Sequence, residues 1–167
     1  MPPTRMPKTR RTSNIGRLMM MPSLVIATDV TLAINQAGFT DVRTAHGNVL
    51  SFIGHGPKRL TDLAQLANLT KATMNYLVDD LERLGYVQRQ EDPTDRRAKL
   101  VGLTPKGHEV GKVTVEALRQ LEERWRALVG AERYELFRAV LLDINESAWS
   151  LLDDSEVTPT PDQGSQR

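Results

Sequence analysis

Between residues 60 and 107 the spacing of apolar positions changes repeatedly, and each change marks an element. Leu63, Leu66 and Ala67 fall on one face of a short helix, with Thr61 ahead of it as a cap and Asp62 in its first turn. Asn68-Leu69-Thr70 breaks the period. Asn tolerates the left-handed conformation that ends a helix, and Thr70 can cap the next one. Met74, Leu77, Val78, Leu81 and Leu84 then recur at steps of three and four, which predicts a second helix to about residue 84. Gly85 closes it, and Tyr86 supplies the apolar contact that often follows such a cap. Residues 87–91 and 98–103 are strand candidates around Asp92-Pro93-Thr94-Asp95-Arg96-Arg97, a turn with cations at its tip. Lys58, Arg59 and Leu60 add a short third strand beside this hairpin.

Helical periodicity dominates the flanks. Ile15, Leu18, Met19, Val25, Ile26, Val30, Ala33 and Ile34 predict a first helix ending at Gly38, kinked or restarted at Pro22. Thr40 or Asp41 can cap a second helix through Ile53, whose apolar surface comes from Val42, Ala45, Val49, Leu50, Phe52 and Ile53. Beyond the hairpin, Thr104 caps and Pro105 opens a long helix to about residue 129. Leu118, Leu121, Trp125 and Leu128 form a coiled-coil-like seam along it. Gly130 ends this helix, and Tyr134, Phe137, Val140, Leu141, Ile144, Ala148 and Leu151 stripe a last one. The chain divides into a disordered basic arm (1–12), an N-terminal dimerisation helix (13–38), a central domain (39–104), C-terminal dimerisation helices (105–152) and a disordered tail (153–167).

A helix pair followed by a basic-tipped hairpin is the signature of a winged helix-turn-helix. The fold class is therefore mainly α, with a small antiparallel β-wing. Burying the Met74–Leu84 stripe turns Lys71, Ala72, Asn75 and Tyr76 outward on the first turns of the second helix, where a helix entering a major groove carries its reading residues. Thr70 and Lys71 at the helix N-terminus suit phosphates, whereas Thr73, Asn75 and Tyr76 suit base edges or phosphates. At the wing, Arg97 suits a narrow minor groove, with Arg96 and Lys99 on phosphates.

The run LVDDLERLGYVQRQEDPTDRRAKLVGLTPKG closely resembles the MarR family of bacterial transcription regulators, most densely over residues 40–107. The resemblance implies an ion pair between Asp95 and Arg97, with Arg97 entering the minor groove. Tyr76 stands where family members often carry Arg. The resemblance also implies a homodimer built from the first and last helices, for which Ile15, Leu18, Leu118, Leu121, Trp125, Phe137, Leu141, Ile144 and Trp149 are the candidates. It further implies a small aromatic or phenolic effector between the dimer helices and the DNA-binding lobe. Met19, Met20, Leu24, His46, Val49 and Leu50 are candidate lining residues, though core filling is the ordinary role of such side chains.

Composition narrows the alternatives. The 167 residues suit one domain with a proper core, and 40% hydrophobic with 26% charged content is ordinary for a soluble protein. Net charge is only +1, so affinity for nucleic acid must come from local patches. The absence of cysteine excludes disulfides, thiolate zinc sites and thiol redox sensing. His46, His55 and His108 are far apart, there is no nucleophile elbow, and neither an enzyme, a metal site nor a cofactor is expected. Arg10-Arg11 ahead of LMMMPSLVIA imitates a secretion signal, but Pro22 and Asp29 interrupt it, and no uninterrupted apolar run reaches the roughly 18 to 20 residues that span a bilayer. The expectation is a cytoplasmic homodimeric repressor on a pseudo-palindromic double-stranded DNA operator. The competing class is a protein-interaction module that uses the same helix and wing.

Overall fold

The computed structural model describes residues 14–95 and 97–153, with side chains as far as residue 147. The basic arm, Arg96, the side chain of Trp149 and the tail beyond residue 153 lie outside the described residues. Six helices and three strands follow in the order α1 (Ile15–Gln36), a 3₁₀ turn (Thr44–His46), α2 (Gly47–Ile53), β1 (Lys58–Arg59), α3 (Leu60–Leu66), α4 (Lys71–Arg83), β2 (Val87–Glu91), β3 (Lys99–Leu103), α5 (Pro105–Val129) and α6 (Ala131–Asp153). The strands form one antiparallel sheet in the order β1-β3-β2, with Val87 opposite Leu103 and Glu91 opposite Lys99.

The chain separates into two units, one through Leu121 and one from Glu122. In the first, Leu63, Met74, Val78 and Leu81 from α3 and α4 meet Val49 and Ile53 of α2, Tyr86, and Val87 and Val101 of the sheet. This is the stripe read from the sequence, and its burial leaves one side of α4 in solvent. Tyr86 anchors several elements at once. Its ring lies edge-on to Phe39 with centroids 6.2 Å apart, Lys106 Nζ sits 4.0 Å above it, and its hydroxyl donates to Asp41. In the second unit Tyr134 is buried, Arg126 lies over its ring, and Arg126 also pairs with Glu135.

Local chemistry accounts for the element ends, and at three places it differs from the sequence expectation. α1 is one unbroken helix with Pro22 inside it, capped by Asn14, whose side chain accepts the Arg17 N–H. The second helix begins as a 3₁₀ turn at Thr44 rather than after Thr40 or Asp41, because Asp41 is engaged by Tyr86. Thr61 does not cap α3. It lies inside the first turn, its hydroxyl donates to Asp62, and Leu60 belongs to this helix rather than to β1.

α1 also corrects the reading of membrane potential. It has 22 residues, and an 18-residue window within it has a mean hydropathy of 1.5, so it is long and apolar enough, by length and composition, to cross a bilayer. Counting uninterrupted apolar runs missed this, because Pro22, Ser23, Thr28 and Asp29 break the run without lowering its average far.

Candidate nucleic-acid interface

The helix-turn-helix is set by two backbone devices. Asn68 takes φ 51°, and Leu69 N–H reaches back to Ala64 O at 2.9 Å, closing α3 with the left-handed residue anticipated from the sequence. Thr70 then caps α4, its hydroxyl oxygen accepting the Thr73 N–H at 3.1 Å. At the far end, Gly85 at φ 80° and the Tyr86 N–H to Leu81 O bond complete a Schellman closure. The helix is thus fixed at both ends, with Lys71, Ala72, Thr73 and Tyr76 exposed along its first turns. Lys71 and Tyr76 have no side-chain partner among the described residues, and Tyr76 is 63% exposed. Thr73 Oγ1 shares a hydrogen bond with Thr70 Oγ1 at 2.8 Å.

Asn75 sits differently. Its Nδ2 donates to Asp79 Oδ2 at 2.8 Å and its Oδ1 accepts from Arg89 Nη2 at 3.1 Å. Arg89, on β2, also pairs with Asp79 at 2.6 Å and with Glu82. Neither Arg89 nor these carboxylates were singled out as site residues from the sequence. Of the acids in the DDLER run, Asp80 alone pairs with the neighbouring Arg83. The charge at position 89 carried no periodic signal, since a polar residue on an outer strand is ordinary.

The other side of α4 is tied to the core. Asp80 is bonded by Arg83, by Arg43 and by the buried His46, whose Nε2 lies 3.1 Å from Asp80 Oδ2. The Arg43 N–H donates to His46 Nδ1 at 3.2 Å, so the ring proton belongs on Nε2, facing the carboxylate. Burial lowers the His46 pKa, against an opposing pull from Asp80. Hydrogen bonding from Arg83 holds Asp80 below the usual carboxylate range.

The wing is held by a pair other than the one implied by resemblance. Asp95 and Arg97 make no side-chain ion pair. Instead the Arg97 backbone N–H donates to Asp95 Oδ1 at 3.0 Å, because a two-residue step in a turn brings that N–H, not the guanidinium, to the carboxylate. The ion pair is between Asp92 and Arg59 of β1, at 2.6 Å, and the Thr94 N–H and hydroxyl donate to the second Asp92 oxygen. The Thr94 bonds and Arg59 push the Asp92 pKa well below its ordinary value. The Arg97 side chain is left exposed and without a partner among the described residues, while Lys99 lies 3.6 Å from Glu91. Between the α4 N-terminus and the sheet runs a cleft of about 410 Å³ with Arg59, Lys71, Arg89 and Lys99 around its rim.

The remaining candidates scatter. Of the effector set, Met19, Met20 and Leu24 are about half exposed on α1, whereas His46 and Val49 are wholly inside the core and Leu50 is partly buried. Of the dimer set, Ile15, Leu18, Phe137 and Ile144 are exposed, Leu118, Trp125 and Leu141 are half-buried, and Leu121 is buried.

Residues 38–98 match the sequence model of the MarR family. The regulator PrsX of Escherichia coli is 33% identical over 95 residues, which is 56% of this chain and 54% of PrsX, so the chain spans about half the length of this curated relative. The solved transcriptional regulator Tm0710 of Thermotoga maritima is 26% identical with a TM-score of 0.57, over 84% of this chain and 97% of that one. The transcriptional repressor CouR, solved on a 23-mer DNA duplex, is 20% identical with a TM-score of 0.65 over 85% of this chain and 99% of CouR, a likeness of fold. These relatives are named as transcription regulators, and the helix pair and three-stranded wing lie within or beside the segment, residues 38–98, that is similar to the MarR family.

Proposed function

We propose that the protein is a DNA-binding transcription regulator, a repressor that occupies a pseudo-palindromic operator as a homodimer. The observation that carries this reading is the set of side chains left free: Lys71 and Tyr76 on α4 and Arg97 on the wing are exposed and without internal partners among the described residues, and Lys71 lines the cleft beside the sheet. In a chain of net charge +1, the exposed cations Lys71 and Arg97 are suited to a phosphate backbone. CouR, which shares the fold, is bound to DNA in its own structure.

The exposed apolar surface supports a two-fold partner. Ile15, Leu18 and Leu24 on α1, and separately Leu136, Phe137, Val140 and Ile144 on α6, are about half exposed or more, an area that a partner copy would cover. Asp29 falls within α1, and a charge near a bilayer centre costs about 2.5–3.5 kcal/mol, which favours a protein partner in water over lipid. The reading places the protein in the cytoplasm. It includes a small aromatic or phenolic effector that favours one spacing of the paired recognition helices. Selection from random duplexes tests the core of it. Enrichment of a palindrome supports the regulator, and failure to enrich any duplex removes it in favour of a protein-binding module.

A further inference from the structure

The outward side of α4 carries more acid than a surface meeting phosphates can bear unneutralised. Asp79 is 53% and Glu82 38% exposed, on the same helix as the free Lys71 and Tyr76. One cation from another element answers both. Arg89 Nη2 donates to Asp79 Oδ1 at 2.6 Å, Nη1 donates to Glu82, and the Arg89 backbone N–H donates to Glu82 Oε1 at 3.0 Å. The same Nη2 donates to Asn75 Oδ1, and Asn75 Nδ2 donates to Asp79 Oδ2. Turning the Asn75 amide over would set its NH₂ against the guanidinium and its oxygen against the carboxylate, so this orientation is the one its neighbours permit. A bidentate contact to adenine needs that oxygen and that NH₂ together. Both are already engaged.

On the footing of the DNA-binding function proposed above, we propose that Arg89, Asp79 and Asn75 form a closed clamp that takes Asn75 out of base reading and makes Tyr76 the specificity-determining side chain of α4. Arg89 acts as a positioning residue: it cancels the two carboxylates and holds Asn75, and it is not itself a phosphate ligand. Tyr76, on the next position and 63% exposed, presents an aromatic ring suited to the 5-methyl group of a thymine.

The test uses the full chain and the operator enriched by it from random duplexes. Asn75→Ala is expected to leave the enriched sequence unchanged, with affinity within about threefold. Tyr76→Ala is expected to lose discrimination at one position per half-site by about tenfold, within the range of a single base contact. Replacing thymine by uracil there should weaken the native protein and leave Tyr76→Ala unaffected. Arg89→Gln is expected to weaken binding at least tenfold, and Asp79→Asn with Glu82→Gln in the same chain should restore it. A directly phosphate-binding arginine would not be rescued in this way. If Arg89→Gln fails to fold, the Asn75 and Tyr76 variants decide alone. Loss of an adenine preference in Asn75→Ala, or no rescue in the triple variant, overturns the clamp while leaving the regulator intact. If the native chain enriches no duplex, the proposed function falls and the clamp with it.

Discussion

Two neighbouring residues in the wing turn, Asp92 and Arg97, separate stability from binding. Asp92 is buried and accepts bonds from Arg59 and Thr94, so removing its carboxylate strands a guanidinium and two donors. Arg97 contributes only its backbone N–H to the fold. Asp92→Ala is therefore expected to destabilise by about 2 kcal/mol, read in urea unfolding, as breaking a hydrogen-bonded charge pair does. Arg97→Ala should leave the unfolding midpoint within about 0.5 kcal/mol, as surface changes generally do, while weakening duplex binding in a gel-shift titration. Equal binding by Arg97→Ala would take the wing tip out of recognition. His46 carries a pH dependence whose sign can be worked out. Its folded pKa lies below the ordinary 6.5, so the unfolded chain takes up more protons as pH drops. The stability it contributes is thus whole above about pH 6.5 and is lost as pH falls from there through the folded value. Protonation would place a second N–H opposite that of Arg43, beside Asp41, Asp80 and Arg83. Melting temperature should decline from pH 7 to pH 5 in the native protein and less steeply in His46→Gln. Parallel curves would assign the decline to other groups.

At the scale of elements, the start of α5 is fastened to the end of α4 and the start of the sheet. Thr104 Oγ1 donates to Gly85 O at 2.6 Å and accepts the Gly107 N–H at 3.1 Å, and Lys106 Nζ donates to Leu84 O at 2.9 Å. The helix approaches so closely that a Cβ on Gly107 would lie 2.1 Å from the Tyr86 carbonyl oxygen. Backbone cannot give way there as a flexible side chain can. Gly107→Ala is expected to destabilise by about 3 kcal/mol, at the upper end of overpacking, measured from the urea midpoint. A change below about 0.5 kcal/mol would mean that the junction is looser than its bonds imply. The same junction shows what a one-dimensional reading can see. Thr104 with Pro105, Thr70, Asn68 and Gly85 act on backbone within a few residues, so their caps and turns were legible, as were the limits of β2, α5 and the buried stripe of α4. Asp41 and Thr61 misled because each has the chemistry of a cap, but Asp41 is claimed by a tyrosine 45 residues away. The candidate site divides along the same line. Exposure of Lys71 and Tyr76 followed from helical phase, whereas the engagement of Asn75 by Arg89 and of Asp92 by Arg59 depends on strand placement that no local spacing encodes.

For the whole molecule the decisive quantity is the apolar surface a single chain leaves in water. Leu128 is 80% exposed and Leu136 67%, and Phe137 and Ile144 stand about half exposed on α6. Nothing within the second unit's described residues covers them, and burying such side chains is worth about 1.5–3 kcal/mol each relative to exposure. In the proposed function, self-association through a two-fold axis would cover them and would also present two helices and two wings to an operator. Linking two half-site contacts makes the second one intramolecular, so affinity for a palindrome should exceed that of one protomer by a factor of about 10² or more. Phe137→Glu with Ile144→Glu is expected to give a folded monomer in sedimentation equilibrium, with unchanged helical content and palindrome affinity reduced to that for an isolated half-site. The salt dependence should follow the same division. Each phosphate contact contributes about 0.9 to the log–log slope, so the monomeric variant should show about half the slope of the native protein. A native slope kept by a monomer would mean that one chain contacts the whole operator, and the two-fold arrangement would then have to be abandoned.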